Sequence, residues 1–269
     1  MNNVFNISRF ANLFKKQTAE HYKTYLMSIV VLMGLILALS SFFAVMERDA
    51  QEMVNERTQF GMFMIIMMIS GTIFTSGIFS DLGGNRKAIA ILTLPASHFE
   101  KFMVKWLYSY LLFLVIYTCI FYAVTIPVQS MRMNEQHKMV LFNLFRPDNF
   151  KVVFISYTLA HAITLLGAIV FKKQHFIKTC FVMIGIFIVL VTANKWIMQS
   201  MVGRQIEGAF PFINFNFIEH TQTAFGNTST GYNITLHDNA SNMWAYALVA
   251  VFTLLFWAAA YSRLKEKQV

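Results

Sequence analysis

Six stretches of this sequence are each about 20 residues long, apolar and free of aspartate and glutamate. They run from Tyr25 to Met46, Phe60 to Phe79, Val104 to Ile126, Val152 to Phe171, Phe176 to Met198, and Met243 to Tyr261. A helix of that length crosses the ~30 Å hydrocarbon layer of a bilayer with its backbone polar groups bonded internally. Composition leaves little room for a soluble alternative. Of 269 residues 57% are hydrophobic and 13% charged, about half the charged share of a soluble domain. The 28 Phe and 17 Met exclude a disordered chain. Cys119 and Cys180 both sit inside apolar runs and build no disulfide framework. The alternating segments of a β-barrel are absent. The first span, long and preceded by a polar segment, does not fit a cleavable signal peptide. The expected fold is all-α: a polytopic integral membrane protein, residues 1–269 forming one six-span domain, with no internal repeat.

The net charge of +9 supplies an orientation. With the N-terminus in the cytoplasm, segments 1–24, 80–105, 172–178 and 262–269 are inside and carry 14 Lys+Arg against 4 acids, net +10. The outer loops carry 8 Lys+Arg against 9 acids, net −1. This satisfies the positive-inside rule, places both termini in the cytoplasm, and accounts for the basic charge without nucleic acid. Lys105 and Lys195, at span ends, are expected to snorkel to the interface.

Before the first span, Phe10, Leu13 and Phe14 fall at i, i+3, i+4 among Lys15, Lys16, Glu20 and Lys23. This predicts a cytoplasmic amphipathic helix within residues 1–24, serving as a membrane-surface anchor or a partner contact. On the outer side, Met139–Phe145, bounded by Arg146-Pro147, suggests a short interfacial helix. The longest outer loop, 199–242, is expected to hold short strands or an interfacial helix. It carries Asn-x-Ser/Thr triplets at Asn227, Asn233 and Asn239, which are glycosylation acceptors or simply a turn-rich loop.

The most informative stretch lies between spans two and three. Gly83-Gly84 should end the second helix. Arg86 and Lys87 open a short helix that stops before Pro95, which biases Leu94 to extended geometry. Ser97-His-Phe-Glu100 then has the form of a capping box, the serine side chain accepting the Glu100 N–H and the Glu100 carboxylate accepting the Ser97 N–H. The result is a cytoplasmic helical elbow at 80–105, either an ordinary capped loop or a lever joined to two spans.

These features resemble the membrane subunit of ABC transporters of the ABC-2 type, the type V exporters. The likeness lies in the basic N-terminal amphipathic helix, the six spans, and an elbow that ends in Leu-x-x-Pro-x-Ser with a lysine ten residues after the proline. Leu92, Pro95, Ser97 and Lys105 occupy those positions, while His98 and Val104 depart from the residues often found there. The resemblance implies that the elbow, with Arg86, Lys87, Leu92, Pro95, Ser97, His98, Glu100, Lys101 and Lys105, docks on a separate ATP-binding subunit. It implies a second permease subunit, as homo- or heterodimer, a conduit between the two, and residence among the lipids of a bacterial inner membrane.

The chain lacks a G-x-x-x-x-G-K-[ST] loop, so ATP would be bound by another polypeptide. The absence of intramembrane carboxylates disfavours proton- or sodium-coupled transport. No zinc-type Cys/His spacing and no nucleophile–base pair stands out, so no cofactor and no enzymatic activity are expected. Three weaker signals remain. In span two, Thr72, Thr75 and Ser76 belong to a small, hydroxyl-rich stripe suited to close packing or to a substrate path. In span four, Tyr157, His161 and Thr164 share a face, where the histidine is a functional group or a neutral packing residue. Met131, Met133 and His137 offer soft ligands to copper or reflect the general abundance of methionine. The expected function is the permease of an ATP-driven exporter. A non-transporting membrane anchor and a membrane-embedded lipid enzyme are the alternatives.

Overall fold

Among the described residues, six helices are long and apolar enough to cross a membrane. The computed structural model of the chain describes residues 5–46, 56–80, 96–131, 141–171, 174–203, 215–223, 226–234 and 238–266. The helices are α1 (Ile7–Met46), α2 (Glu56–Ser80), α3 (His98–Leu107) continuing through a π-helical turn (Tyr108–Leu112) into α4 (Phe113–Ser130), α5 (Pro147–Val170), α6 (His175–Val202) and α7 (Asp238–Glu266). The chain divides into two compact units, Met1–Phe176 with Leu254–Val269, and Ile177–Thr253.

In the first unit α1 is one helix of 40 residues, about 60 Å at 1.5 Å per residue. It has no break between residues 7–24, expected to form a separate amphipathic helix, and the apolar stretch that follows. Asn6 caps it, its Oδ1 accepting the N–H groups of Ser8 and Arg9 at 2.9 and 3.4 Å. The stripe of Phe10, Leu13 and Phe14 packs on the chain's own helices, against a cluster built around Phe102, Tyr108, Leu165 and Leu264. Tyr108 stacks on Phe14 and Tyr25 at 4.7 and 5.6 Å between ring centroids. Its hydroxyl bonds to Thr18 and donates to the Phe14 carbonyl at 3.2 Å.

A second cluster lies farther along the spans. Phe113, Tyr117 and Phe121 follow one another at i, i+4 on α4, and Phe63 of α2 meets the last two edge-on at 5.0 and 4.9 Å. Gly71 lets α2 and α5 approach closely: a Cβ there would stand 2.6 Å from Tyr157 Cε2 and 3.0 Å from Phe113 Cε1.

The expected interfacial helix at Met139–Phe145 does not form over the described part of that segment. Residues 141–146 are a non-helical strap. Phe142 and Leu144 are buried, and side chains of the adjacent spans bond the backbone. Phe142 N–H donates to Gln59 Oε1 at 3.0 Å and Leu144 N–H to Tyr122 Oη at 3.0 Å, while Tyr122 O–H donates to the Phe142 carbonyl at 2.9 Å. The polar backbone is thereby satisfied without a helix. Pro147 at the first helical position starts α5 immediately afterwards.

The second unit contains most of α6, a hairpin and the start of α7. The hairpin pairs β1 (Phe215–Thr223) with β2 (Gly226–Ile234) antiparallel, from Phe215 opposite Ile234 to Thr223 opposite Gly226. Of the two forms expected for this loop, strands are the one present among the described residues. Asn227 and Asn233 lie on β2, and Asn239 lies in the first turn of α7.

Candidate functional site

The expected coupling residues fall into two groups. Arg86, Lys87, Leu92 and Pro95 lie outside the described residues. Ser97, His98, Glu100, Lys101 and Lys105 form the foot on which that segment returns to the bundle. Ser97 is the cap of α3. Its Oγ accepts the Glu100 N–H at 3.2 Å, and Glu100 Oε2 accepts the Ser97 N–H at 2.9 Å, completing the expected capping box.

Glu100 does more than close its own helix. Its side chain has no solvent exposure. Its other oxygen accepts the Asn6 N–H at 2.7 Å and faces Arg9 Nη2 at 3.3 Å. Asn6 is the cap of α1, so two helix caps interlock at a single carboxylate. A buried carboxylate persists where donors and a cation compensate its lost hydration, and here two backbone N–H groups and a guanidinium do so. Phe5 covers the joint, with ring centroids 6.2 Å from Phe99 and 5.7 Å from Phe10.

Lys105 departs from expectation. It does not snorkel outward: its residue is 6% exposed and its Nζ donates to the Ile78 carbonyl at 3.1 Å. Ile78 lies in the last turn of α2, where carbonyls have no helical partner and the helix dipole favours a cation. Lys101 is also buried and His98 half-buried. Segment 81–95 therefore leaves from a helix end and returns to a helix start that are fastened to each other. The start is fastened in turn to α1.

Within the spans, Tyr157 and His161 come together and Thr164 does not join them. Tyr157 O–H donates to the Ser109 carbonyl at 2.8 Å. His161 Nδ1 accepts from Trp257 Nε1–H at 3.3 Å, and Nε2 lies 2.8 Å from Ser109 Oγ. Because indole only donates, Nδ1 carries the lone pair and the neutral ring has its proton on Nε2. Nε2–H then donates to Ser109 Oγ, whose own hydroxyl donates to the Trp106 carbonyl at 3.3 Å. Tyr110 packs over this chain, with ring centroids 5.1 Å from His161 and 5.7 Å from Tyr157 and Trp257. Both ring nitrogens are engaged by protein, the arrangement of a packing histidine joining the π-helical turn, α5 and α7. Thr164 Oγ1 bonds to the Ala160 carbonyl of its own helix at 2.7 Å.

The hydroxyl stripe of α2 is partly buried, with Thr72 half-exposed. Thr72 and Thr75 donate to the carbonyls of Met68 and Gly71, each at 2.7 Å, and Thr75 and Ser76 are buried. Close packing is seen at Gly71, where a Cβ would meet Tyr157 and Phe113. Met131 is exposed, and Met133 and His137 lie outside the described residues. Sequence reasoning missed Asn6, Arg9, Ser109 and Trp257, all partners of residues it had singled out, and Trp106, which accepts from Ser109. No protein-family model, curated protein or solved structure matches the chain.

Proposed function

We propose that this chain is the permease subunit of an ATP-driven ABC exporter, with ATP bound and hydrolysed on a separate chain and a second permease subunit completing the conduit. The observation that supports this most is the double fastening at the foot of segment 81–95, through Lys105 to Ile78 and through Glu100 to Asn6 and Arg9. A solvated loop needs no such fastening. A lever does, because a push on an unfastened loop would be lost in bending.

In this reading the basic elbow, Arg86 and Lys87 included, lies in the cytoplasm against the ATPase. Closure of two ATPase subunits displaces it, and the joint carries the displacement into α1, α2 and α3 together. The conduit between the two permeases then opens outward. The asymmetry of loop charge supports cytoplasmic termini, and the resemblance supports a bacterial inner membrane.

The test is reconstitution with a Walker-A ATPase, sought first in the adjacent reading frames. Arg86→Glu/Lys87→Glu, which leaves the described joint intact, should lower both co-purification and membrane-stimulated ATP hydrolysis by about tenfold, the effect of losing roughly 1.4 kcal/mol at the contact. Association and hydrolysis both unchanged would sink the proposal.

A further inference from the structure

At the opposite end of the first three spans from the Glu100 joint, three helices enclose a small polar cleft. Ser40 of α1, Thr58 and Gln59 of α2, and Thr125 and Gln129 of α4 line it, with Phe43, Met62 and Val128 as its apolar wall. Ser40, Gln59, Thr125 and Gln129 are each more than nine-tenths buried. Four buried polar side chains thus come together at one place between three spans.

The hydrogen bonds around it are incomplete in one direction. Ser40 Oγ finds the Met62 sulfur at 4.0 Å, a weak acceptor. Thr125 O–H is spent on the Phe121 carbonyl at 2.8 Å, which leaves its oxygen as an acceptor. Gln59 Oε1 holds the Phe142 N–H of the strap. Gln129 is 4% exposed, and its Oε1 is buried without a hydrogen-bond partner. Gln129 Oε1 is thus a buried acceptor with no donor facing it among the described residues. Among the described residues the cleft has an uncharged lining, so none of them would be a counter-ion to a cation placed there. Its free space suits a group of about the size of one water molecule.

We propose that this cleft is a binding site for the hydroxyl group of an uncharged amphipath, with the hydroxyl donating to Gln129 Oε1 and the apolar chain lying along the exposed flanks of the spans. An amphipath is favoured over a water-soluble alcohol because the helices that enclose the cleft carry exposed apolar side chains, Leu37 of α1 and Ile65 of α2 among them. The proposal rests on the membrane-spanning helices and this cleft, and stands apart from ATPase coupling.

The test uses the full chain alone, in detergent, with 1-monooleoylglycerol and methyl oleate as paired probes counted by native mass spectrometry. They share an oleoyl chain, but only the first has hydroxyl groups. One hydrogen bond to a buried acceptor is worth about fivefold in affinity, so the wild type should retain monooleoylglycerol about fivefold over methyl oleate at a stoichiometry of one. Gln129→Leu should abolish that preference, and Thr125→Val should reduce it. Equal retention of the two probes by the wild type overturns the proposal whatever the variants do. Retention of neither, leaving water as the occupant, also overturns it. A preference that survives both substitutions places the site elsewhere and overturns it too. None of these outcomes bears on the exporter reading, because no ATPase is present.

Discussion

Lys105 Nζ lies 3.1 Å from the carbonyl oxygen of Ile78, so a lysine of the third helix closes the last turn of the second. Lys105→Met keeps the stem and removes the donor. It should lower stability by about 1–3 kcal/mol, the cost of a buried acceptor losing a charged partner. Lys105→Arg should recover part of it. The check is the unfolding midpoint in mixed micelles.

The two partners at the cap joint should respond unequally. Glu100 is fully buried, whereas the Arg9 side chain is 34% exposed. Glu100→Ala leaves Asn6 N–H, Ser97 N–H and the guanidinium without their acceptor and should cost about 3–5 kcal/mol. Arg9→Gln, nearer to solvent, should cost about 1 kcal/mol. A double-mutant cycle read by thermal unfolding checks this. Equal losses for the two single variants would contradict the description of the joint.

His161 should be found as the neutral tautomer protonated at Nε2, which nitrogen-15 shifts of labelled histidine report directly. Trp257→Phe removes the donor to Nδ1 and should cost about 1–3 kcal/mol. Adding His161→Leu to Trp257→Phe should cost less than the two single losses summed, since no ring nitrogen then remains unpaired.

Gly71→Val should destabilise by about 1–3 kcal/mol through overpacking, because even a Cβ comes within 2.6 Å of the Tyr157 ring. Gly77→Ala, in the same helix, has open space around its Cβ and should be neutral or stabilising. The pair separates a local steric effect from a general intolerance of α2, measured as the difference in melting temperature.

Much of this fold is legible in the sequence because length and hydropathy are local quantities. Six apolar stretches report six helices, and Ser97-x-x-Glu100 reports its capping box from four adjacent residues. What stays hidden is the partner across the chain. Asn6 and Arg9 meet Glu100 from 94 and 91 residues away, and nothing near Glu100 announces a second cap. Lys105 has the flanks of a snorkelling lysine, and only the position of the α2 terminus turns it inward. His161 reads as ambiguous for the same reason: Trp257, which decides its tautomer, lies 96 residues on. The strap at 141–146 is apolar enough for an interfacial helix, but its backbone is satisfied by Gln59 and Tyr122 on other elements.

The π-helical turn at Tyr108–Leu112 has a mechanical consequence. Phe113 N–H reaches back to the Tyr108 carbonyl, one residue farther than in an α-helix. One extra residue in a helix rotates everything beyond it by about 100° relative to an unbroken α-helix. The third span is therefore two half-helices set at a fixed phase. Phe102, Val104 and Tyr108 address one aromatic cluster, and Phe113, Tyr117 and Phe121 address the other. Deleting one residue within the turn would give a plain α-helix with the same two faces, whereas regularising the turn to α with that residue retained would bring the wrong face to one cluster. That phase offset is thus what allows one helix to serve both ends of the bundle.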